Sequence, residues 1–277
     1  RRLKLNGSPP RESEGKPDKV NAKLALFEYY TQLCEPYYIE REVDSVLGRA
    51  ISISNIWVWG PAGCGKTSVI RRLAISTGLP YLYVSLGHIE GNSVAAVLRD
   101  IWLTLQQRLN APNPSGPTLP VRSMVVAIVD LLAKHFASHL IHLDEIPISD
   151  LPTLKMLWGE IESIIIGVKE QSPNSDVRLA VSSLADPGLR SPGKGQSERL
   201  LSIQNPKWGN EPLAALTSTI KIALSMELAE SQIFGLIASA DGSPRFVKKV
   251  LRAYQIRGIS NGVTLESLID ETRRDLQ

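Results

Sequence analysis

The chain contains 277 residues, of which 43% are hydrophobic and 21% are charged, so it can bury at least one sizeable core. This composition excludes a peptide, a disulfide-stabilised mini-protein and a disordered tail. Lys and Arg exceed Asp and Glu by three, and residues 1–20 hold this excess, with six basic and three acidic side chains. A protein that coats duplex DNA needs one cation for each phosphate that it neutralises, so nucleic-acid binding must here be local or supplied by assembly.

The cysteines and the apolar segments indicate the cellular compartment in which the protein is expected. Cys34 and Cys64 lie thirty residues apart without a CxxC spacing, which indicates neither a disulfide framework nor a zinc ribbon. The most apolar stretches, such as residues 161–168, are too short to span a bilayer, and the N-terminal residues are polar and rich in proline. We therefore expect a cytoplasmic protein that does not associate with membranes.

The first part of the chain changes character near residue 21. Residues 1–20 combine prolines, glycines and mixed charges with scattered apolar side chains, which predicts a flexible basic arm. From residue 21 an apolar stripe at helical spacing predicts a helix that ends near Pro36. An apolar strand over residues 56–59 then leads through a glycine-rich turn into a helix over 66–77.

Strand and helix patterns alternate through the middle of the chain. The later predicted strands cover residues 81–85, 140–143, 177–182 and 219–224. The predicted helices cover residues 93–109, 121–136 and 151–168. The strands are too apolar for burial on one face only, which favours an α/β core over residues 21–225 with a parallel five-stranded sheet covered on both faces. The Pro- and Gly-rich stretch 186–218 is expected to be a long connection before the last strand.

The C-terminal part lacks a strand pattern beyond residue 225. Three helices are predicted, over residues 227–240, 244–257 and 265–276. Ser243 is a capping residue with Pro244 at the first helical position, and Thr264 is placed to cap the last helix. We expect a small all-helical module over residues 226–277.

Residues 60–67 read GPAGCGKT and match GxxxxGK[ST], directly after a predicted strand and at the start of a helix. The glycines let backbone N–H groups curl around an anion, and the helix N-terminus adds partial positive charge. Lys66 is expected to neutralise the β and γ phosphates of a nucleotide, and Thr67 to ligate Mg²⁺. The predicted nucleotide-binding residues of this loop are Gly60, Pro61, Ala62, Gly63, Cys64, Gly65, Lys66, Thr67 and Ser68.

Residues 140–145 read LIHLDE, an apolar strand that ends in two carboxylates. In phosphate-loop enzymes an acidic residue at this strand end holds the magnesium shell, and a following Glu polarises the attacking water. Asp144 is the predicted metal-shell residue and Glu145 the predicted catalytic base. An Asp-Glu pair is also common turn chemistry, and the phosphate loop is what favours the catalytic interpretation.

With these two motifs the sequence resembles the AAA+ and STAND classes of P-loop ATPases, including origin-recognition-like ATPases and the ATPase regulators of DNA transposition. The resemblance runs from about Tyr38 to the C-terminus and implies a P-loop NTPase fold, with ATP and Mg²⁺ as cofactors and the helical module as a lid. It implies a polar sensor at the end of the next core strand, where Ser182 and Ser183 stand; a serine that satisfies backbone groups is an equally good interpretation. It also implies a sensor arginine at the start of a lid helix, where Arg245 stands; an Arg there is unfavourable unless an anion lies nearby.

The resemblance implies two further contacts. An Arg-Glu pair before the core lies close to the adenine in the family, which makes Ile39 and Arg41 adenine-side candidates, although a solvated charged turn fits these residues as well. The arginine finger that completes a neighbouring subunit's site comes from the region after the sensor strand. Arg199 is therefore the first candidate and Arg190 the second, in a region that is longer here than in the family pattern.

Two other groups of residues have competing interpretations. The group His135, His139 and His142 invites a metal site, but no Glu follows His135 and no third ligand is evident, so structural or surface roles are favoured. Five basic side chains occur without an acidic residue between them. This pattern is compatible with binding to nucleic-acid phosphates, yet a solvated basic helix is the commoner explanation. The five side chains are Arg245, Lys248, Lys249, Arg252 and Arg257.

The predicted function is an ATP-driven switch that regulates a partner in a multi-protein system, because no nuclease, protease or transferase signature accompanies the ATPase motifs. The resemblance implies a nucleotide-dependent homo-oligomer, a protein partner that carries the effector activity, and nucleic acid contacted through the oligomer. Transposition, replication loading and defence are the contexts it suggests. One alternative is a small-molecule kinase, which would need a substrate lid inserted within the sheet. The other is a nucleotide-binding scaffold with little turnover, against which Glu145 argues.

Overall fold

A computed structural model describes residues 22–110, 120–188, 199–257 and 263–275. The predicted basic arm over residues 1–20 lies outside these ranges. None of the helices within them is long and apolar enough to cross a membrane.

The core of the protein is one sheet of five parallel strands in the order β2-β3-β4-β1-β5. The strands are β1 (Asn55–Trp59), β2 (Tyr81–Ser85), β3 (Leu140–Ile146), β4 (Arg178–Ser183) and β5 (Leu200–Gln204). Because all five strands run in the same direction, the turns after β1 and β3 meet at the carboxyl edge of the sheet. This edge is where α/β proteins of this kind bind ligands.

Helices cover both faces of the sheet, as the apolar strands predicted. They are α1 (Glu42–Ile53), α2 (Lys66–Thr77), α3 (Val94–Arg108), α4 (Val121–His135) and α5 (Leu151–Gln171). Trp57 packs on the face covered by α3, α4 and α5, whereas Ile56 and Val58 pack on the opposite face with α1 and α2. Alternate residues of β1 therefore pack into hydrophobic clusters on opposite faces of the sheet, which is why the strand is apolar throughout.

The fifth strand is not where the sequence predicted it. Residues 219–224 are not a strand, because 219–223 belong to helix α6 (Asn210–Ala223) and Leu224 caps it; the edge strand of the sheet is β5. The apolar residues of α6 follow the three- and four-residue spacing of one helix face, with buried side chains at Leu213, Leu216 and Ile220. The stretch 186–218 is therefore not a single long connection, since it contains β5 and the start of α6.

A second packing unit contains α6 and the three C-terminal helices α7 (Glu230–Ser239), α8 (Pro244–Arg257) and α9 (Leu265–Asp275). Their buried side chains form one hydrophobic cluster, distinct from the two clusters on the sheet. We propose that this helical module begins with α6 and not at residue 226, because α6 buries its apolar face among the C-terminal helices.

The segment before α1 joins the two units. Two short 3₁₀ helices, Lys23–Leu26 and Gln32–Tyr37, take the place of the single helix predicted to end near Pro36. Thr31, between them, has an extended backbone, which interrupts the helical path. We call residues 22–41 the N-terminal strap, since this segment contacts α8 of the helical module and α2 of the core.

Candidate active site

The loop between β1 and α2 has a backbone that requires glycine at defined positions. Gly60 and Gly63 have φ angles of 156° and 73°. A Cβ atom on Gly60 would lie 2.1 Å from the carbonyl oxygen of Asn205, so no other residue fits there without a shift of the backbone. A curled glycine-rich loop that opens a helix can present backbone N–H groups to an anion, and binding of a phosphate here stays a prediction.

Lys66 lies over this loop. Its Nζ donates to the carbonyl oxygens of Gly60 and Pro61, at 2.7 and 2.9 Å. Burial lowers the pKa of Lys66. An ammonium group that is partly desolvated and held by neutral carbonyls gains free energy from an anionic partner, which a phosphate would supply.

Oxygen ligands suitable for magnesium meet beside the loop. The Thr67 hydroxyl donates to Asp144 Oδ2 at 2.7 Å, and the Tyr83 hydroxyl donates to the same oxygen at 3.1 Å. Mg²⁺ prefers hard oxygen ligands and is usually held by one or two carboxylates together with waters and substrate phosphates. One hydroxyl and one carboxylate at this position fit that preference.

The Asp144 carboxylate is held on both oxygens. Its Oδ1 accepts from the Ser182 hydroxyl and from the backbone N–H of Glu145, the latter at 3.0 Å. Burial by itself would raise the pKa of Asp144, but the interactions with His142, Ser182 and Thr67 outweigh burial and hold this pKa below its usual range. The group is therefore ionised at neutral pH, as a metal ligand must be.

Glu145 lies next to Asp144 near the end of β3, where the pairing with β4 is irregular, and is exposed. Its φ angle of 59° is unusual for a residue other than glycine and costs about 1 kcal/mol. A Cβ atom on Gly87 would lie 2.5 Å from Glu145 Oε2, so the side chain occupies the space beside the turn after β2. An exposed carboxylate at the carboxyl edge of the sheet can meet a water molecule, which its predicted role as a base requires.

The two candidate sensor serines occupy successive positions at the end of β4 and have different partners. Ser182 contacts Asp144 and His142. The Ser183 hydroxyl accepts from Trp57 Nε1 at 2.8 Å and donates to the carbonyl of Ala185 at 2.7 Å. The structure therefore brings Ser182 to the acidic pair and directs Ser183 elsewhere, and a sensor role for either stays a prediction.

Helix α8 begins against the loop. A Cβ atom on Gly63 would lie 2.9 Å from Ser243 Oγ and 3.0 Å from Arg245 Cβ. Ser243 accepts from the backbone N–H of Phe246 at 3.2 Å, so it caps α8 as the sequence predicted. Arg245 is exposed at this junction. The lid helix and the loop are thus neighbours, while the sensing role of Arg245 stays a prediction.

Trp208 and Asn205 are site residues that sequence reasoning missed. Trp208 Nε1 donates to the carbonyl of Cys64 at 2.9 Å, and its ring lies 4.7 Å from the guanidinium carbon of Arg41. Arg41 Nη2 donates to Asn205 Oδ1 at 2.8 Å. Ile39, the other adenine-side candidate, packs with the helical module. A lone Trp in a polar, proline-containing connection was the available signal for Trp208.

The candidate finger Arg199 lies at the opposite edge of the sheet. Its carbonyl accepts from the backbone N–H and the side-chain Nδ2 of Asn55, at 3.3 and 2.8 Å. Asn55 begins β1, whereas the loop follows the end of β1, which is about 16 Å further along the strand. Arg199 therefore cannot reach the loop of its own copy, and its role in a neighbouring copy stays a prediction. Arg190 lies outside the described residues.

His142 and the basic helix have structural partners. His142 is buried in β3 and bonded to Tyr81 and Ser182, and no group of three or more His, Cys, Asp or Glu in the described ranges could hold a metal. Three of the five cations near α8 are engaged in folding contacts, which favours a structural helix over a nucleic-acid surface. Lys248 contacts the carbonyl of Phe27, Arg252 pairs with Glu28, and Arg257 pairs with Glu271.

Residues 56–147 match the sequence profile of the ATPase family associated with various cellular activities (AAA). The matched region contains the glycine-rich loop, Lys66, Thr67 and the acidic pair Asp144 and Glu145. The region is an ATPase domain of the AAA type. This confirms the resemblance of the sequence to AAA+ ATPases and the predicted α/β fold. No curated protein sequence matches the chain.

Solved structures of other proteins share the fold of the AAA domain together with the helical module. The Walker-type ATPase PABY2304 of Pyrococcus abyssi has 13% sequence identity and a TM-score of 0.59, covering 91% of this chain and 76% of that one. The ORC1 protein of Aeropyrum pernix, solved in complex with DNA, has 16% identity and a TM-score of 0.59, covering 92% and 69%. The ORC2 protein of the same organism, solved with ADPNP and ADP, has 16% identity and a TM-score of 0.55, covering 91% and 72%.

Proposed function

We propose that this chain is an ATP-hydrolysing switch, in which the helical module responds to the nucleotide on the loop and passes the change to a partner protein. The observation that carries the proposal is the approach of Gly63 to Ser243 and Arg245. A γ-phosphate on the loop would stand next to Arg245, at the N-terminus of α8. ATP and ADP would then stabilise different positions of α8, because a ligand shifts a conformational equilibrium by its differential affinity for the two states.

Each residue of the proposed mechanism has a defined task. The backbone of residues 60–65 and the ammonium of Lys66 bind the phosphates. Thr67 and Asp144 would hold Mg²⁺, which supplies charge neutralisation and orientation of the phosphates when bound. Glu145 orients a water molecule towards the γ-phosphorus and accepts its proton as the bond to the β-phosphate oxygen breaks. Lys66 offsets the charge that develops on the departing ADP.

A scaffold that binds nucleotide with little turnover is the second candidate. The observation that favours it is the engagement of Ser182 and Ser183 in internal hydrogen bonds, which leaves neither hydroxyl proton free to orient a lytic water. The two candidates differ in the measured rate of phosphate release and share the site.

We further propose a nucleotide-dependent homo-oligomer that acts on a protein partner in the cytoplasm. The two cysteines, Cys34 and Cys64, are both free and buried, which is consistent with a reducing compartment. Nucleic acid would be contacted through the oligomer, since Lys248, Arg252 and Arg257 are engaged in contacts within the chain.

Mass measurement in solution, with and without a non-hydrolysable ATP analogue, tests the switch. We expect the analogue to increase the mass to that of an oligomer, and ATP to be converted to ADP and phosphate without an added acceptor. A mass that does not change with nucleotide, together with phosphate transfer to a small molecule, would contradict the switch in favour of a kinase.

A further inference from the structure

A line of hydrogen bonds crosses the sheet beneath the candidate active site. The Tyr81 hydroxyl on β2 lies 2.8 Å from Nδ1 of His142 on β3. His142 Nε2 lies 2.7 Å from the hydroxyl oxygen of Ser182 on β4. The Ser182 hydroxyl in turn donates to Asp144 Oδ1. His142 and Ser182 are completely buried, so water does not compete for these groups.

The direction of each hydrogen bond follows from the donors and acceptors available. An ionised Asp144 only accepts, so the proton of the Ser182 hydroxyl points to it. The oxygen of Ser182 then accepts from His142 Nε2–H, and His142 Nδ1 shares a hydrogen bond with the Tyr81 hydroxyl. The Ser182 hydroxyl and His142 Nε2–H therefore both donate in the direction of the carboxylate.

The position of His142 is unusual for its strand. Its neighbours Ile141 and Leu143 are buried and apolar, as a central strand of a parallel sheet requires. An imidazole at such a position costs free energy unless both of its ring nitrogens are bonded, as they are here. An apolar residue would fill this place without that requirement, so packing alone does not account for the histidine.

We propose that Tyr81, His142 and Ser182 are positioning residues that hold the Asp144 carboxylate in the orientation needed to bind magnesium with the nucleotide. This inference rests on the proposed function of the site. Ser182 fixes Oδ1 while Thr67 contacts Oδ2, so the carboxylate cannot rotate without breaking a buried hydrogen bond. Loss of a hydrogen-bond partner behind a metal ligand typically lowers metal affinity by about 10- to 100-fold.

Tyr81→Phe is the decisive variant, because Tyr81 does not itself contact Asp144 and acts only through His142 and Ser182. The measurement is the affinity of Mn²⁺ for the protein–ADP complex, followed by electron paramagnetic resonance, together with the affinity for ADP in EDTA. We expect Tyr81→Phe to weaken Mn²⁺ binding about 5-fold and Ser182→Ala at least about 10-fold, with ADP affinity in EDTA unchanged. Tyr254→Phe is the matched control, since it loses a tyrosine hydroxyl that bonds to Glu227 in the helical module; its Mn²⁺ affinity should equal that of the wild type.

A second pair of variants separates positioning from packing. His142→Gln keeps an amide that can donate to Ser182, whereas His142→Leu fills a similar volume without a donor. We expect the glutamine variant to retain more Mn²⁺ affinity than the leucine variant. Equal losses in this pair, or wild-type Mn²⁺ affinity in Tyr81→Phe and Ser182→Ala, would overturn the positioning role. Failure of the wild-type protein to bind ADP, with or without Mn²⁺, would instead overturn the proposed function.

Discussion

Glu145 is the single residue whose change should separate nucleotide binding from turnover. Glu145→Gln keeps the shape of the side chain and removes its capacity to accept a proton. We expect ATP affinity within about twofold of the wild type and phosphate release slowed by about 100-fold or more, the usual contribution of a general base. Steady-state phosphate release and equilibrium ATP binding measure the two effects. Glu170→Gln, at an exposed position on α5, is the control, and unchanged turnover in Glu145→Gln would remove this residue from the base role.

At the residue scale, local sequence was sufficient for some of the site and insufficient for the rest. The glycine-rich loop and the acidic pair were predictable because each is encoded by a contiguous sequence motif. Trp208 contacts Cys64 across 144 positions of the chain, and no local spacing encodes that contact. The sequence predicts a structural or surface role for His142, and nothing in the sequence of β3 reveals that Tyr81 and Ser182 flank it.

At the scale of elements, α6 shows how a sequence pattern can mislead. Residues 219–222 alternate polar and apolar side chains and are followed by two further apolar residues, which resembles a strand. The complete helix has a different period, and only its full length reveals the buried face. β5 was missed because it is a short edge strand that buries one residue fully, Leu200, and follows a glycine-rich stretch.

A strand and a helix over residues 219–224 predict different effects on stability when Ile220 and Ile222 are mutated. In a strand these side chains would share one face, whereas in α6 Ile220 is buried and Ile222 is 72% exposed. We therefore expect Ile220→Ala to lower the free energy of unfolding by about 3 kcal/mol, and Ile222→Ala to change it by less than about 0.5 kcal/mol. Urea unfolding of both variants measures the difference. Equal destabilisation would support the strand.

The N-terminal strap links elements of the two packing units. Arg72 of α2 donates to both carboxylate oxygens of Glu35, at 3.0 and 2.6 Å, and Lys248 of α8 lies 3.2 Å from the ring centroid of Phe27. Both α2 and α8 begin at the candidate active site. The strap thus contacts the two helices whose separation would change if the lid moved.

Because Lys248 contacts the N-terminal strap from a buried position, we expect the free energy of unfolding to depend on pH. Burial, together with the nearby charge of Arg252, lowers the pKa of Lys248 from its ordinary value of 10.5 to about 7. Between these two values the unfolded chain binds a proton that the folded protein has released, so stability rises with pH. We expect the free energy of unfolding of the wild type to rise from pH 7 to pH 9 relative to Lys248→Met, by at most about 1.4 kcal/mol per pH unit. Parallel curves for the two proteins would contradict the low pKa.

At the scale of the whole molecule, Arg199 can act as an arginine finger only in a second copy, because it cannot reach the loop of its own copy. Arg199→Ala and Lys66→Ala are each expected to have little turnover alone. In a mixture, a Lys66→Ala copy can offer its arginine to the intact loop of an Arg199→Ala copy, so part of the activity should return. Turnover of the mixture across a range of ratios measures this effect, and no recovery at any ratio would exclude Arg199 from a shared site.

The overall architecture was predictable to the level of a parallel five-stranded core followed by helices, because alternating apolar strands and helices leave few topologies. The assignment of α6 depended on tertiary packing and was not predictable in this way. The approach of Gly63 to Arg245 likewise arises only when the helical module folds against the sheet.

The affinity of the protein for ATP, with and without the Lys66 ammonium, directly tests whether the nucleotide phosphates bind on the glycine-rich loop. Lys134→Ala is the matched control, because Lys134 is an exposed lysine on α4 with a single surface ion pair. We predict that Lys66→Ala binds ATP about 100-fold more weakly than the wild type, while Lys134→Ala binds as the wild type does. ATP binding by Lys66→Ala at wild-type strength would show that the phosphates do not lie on this loop.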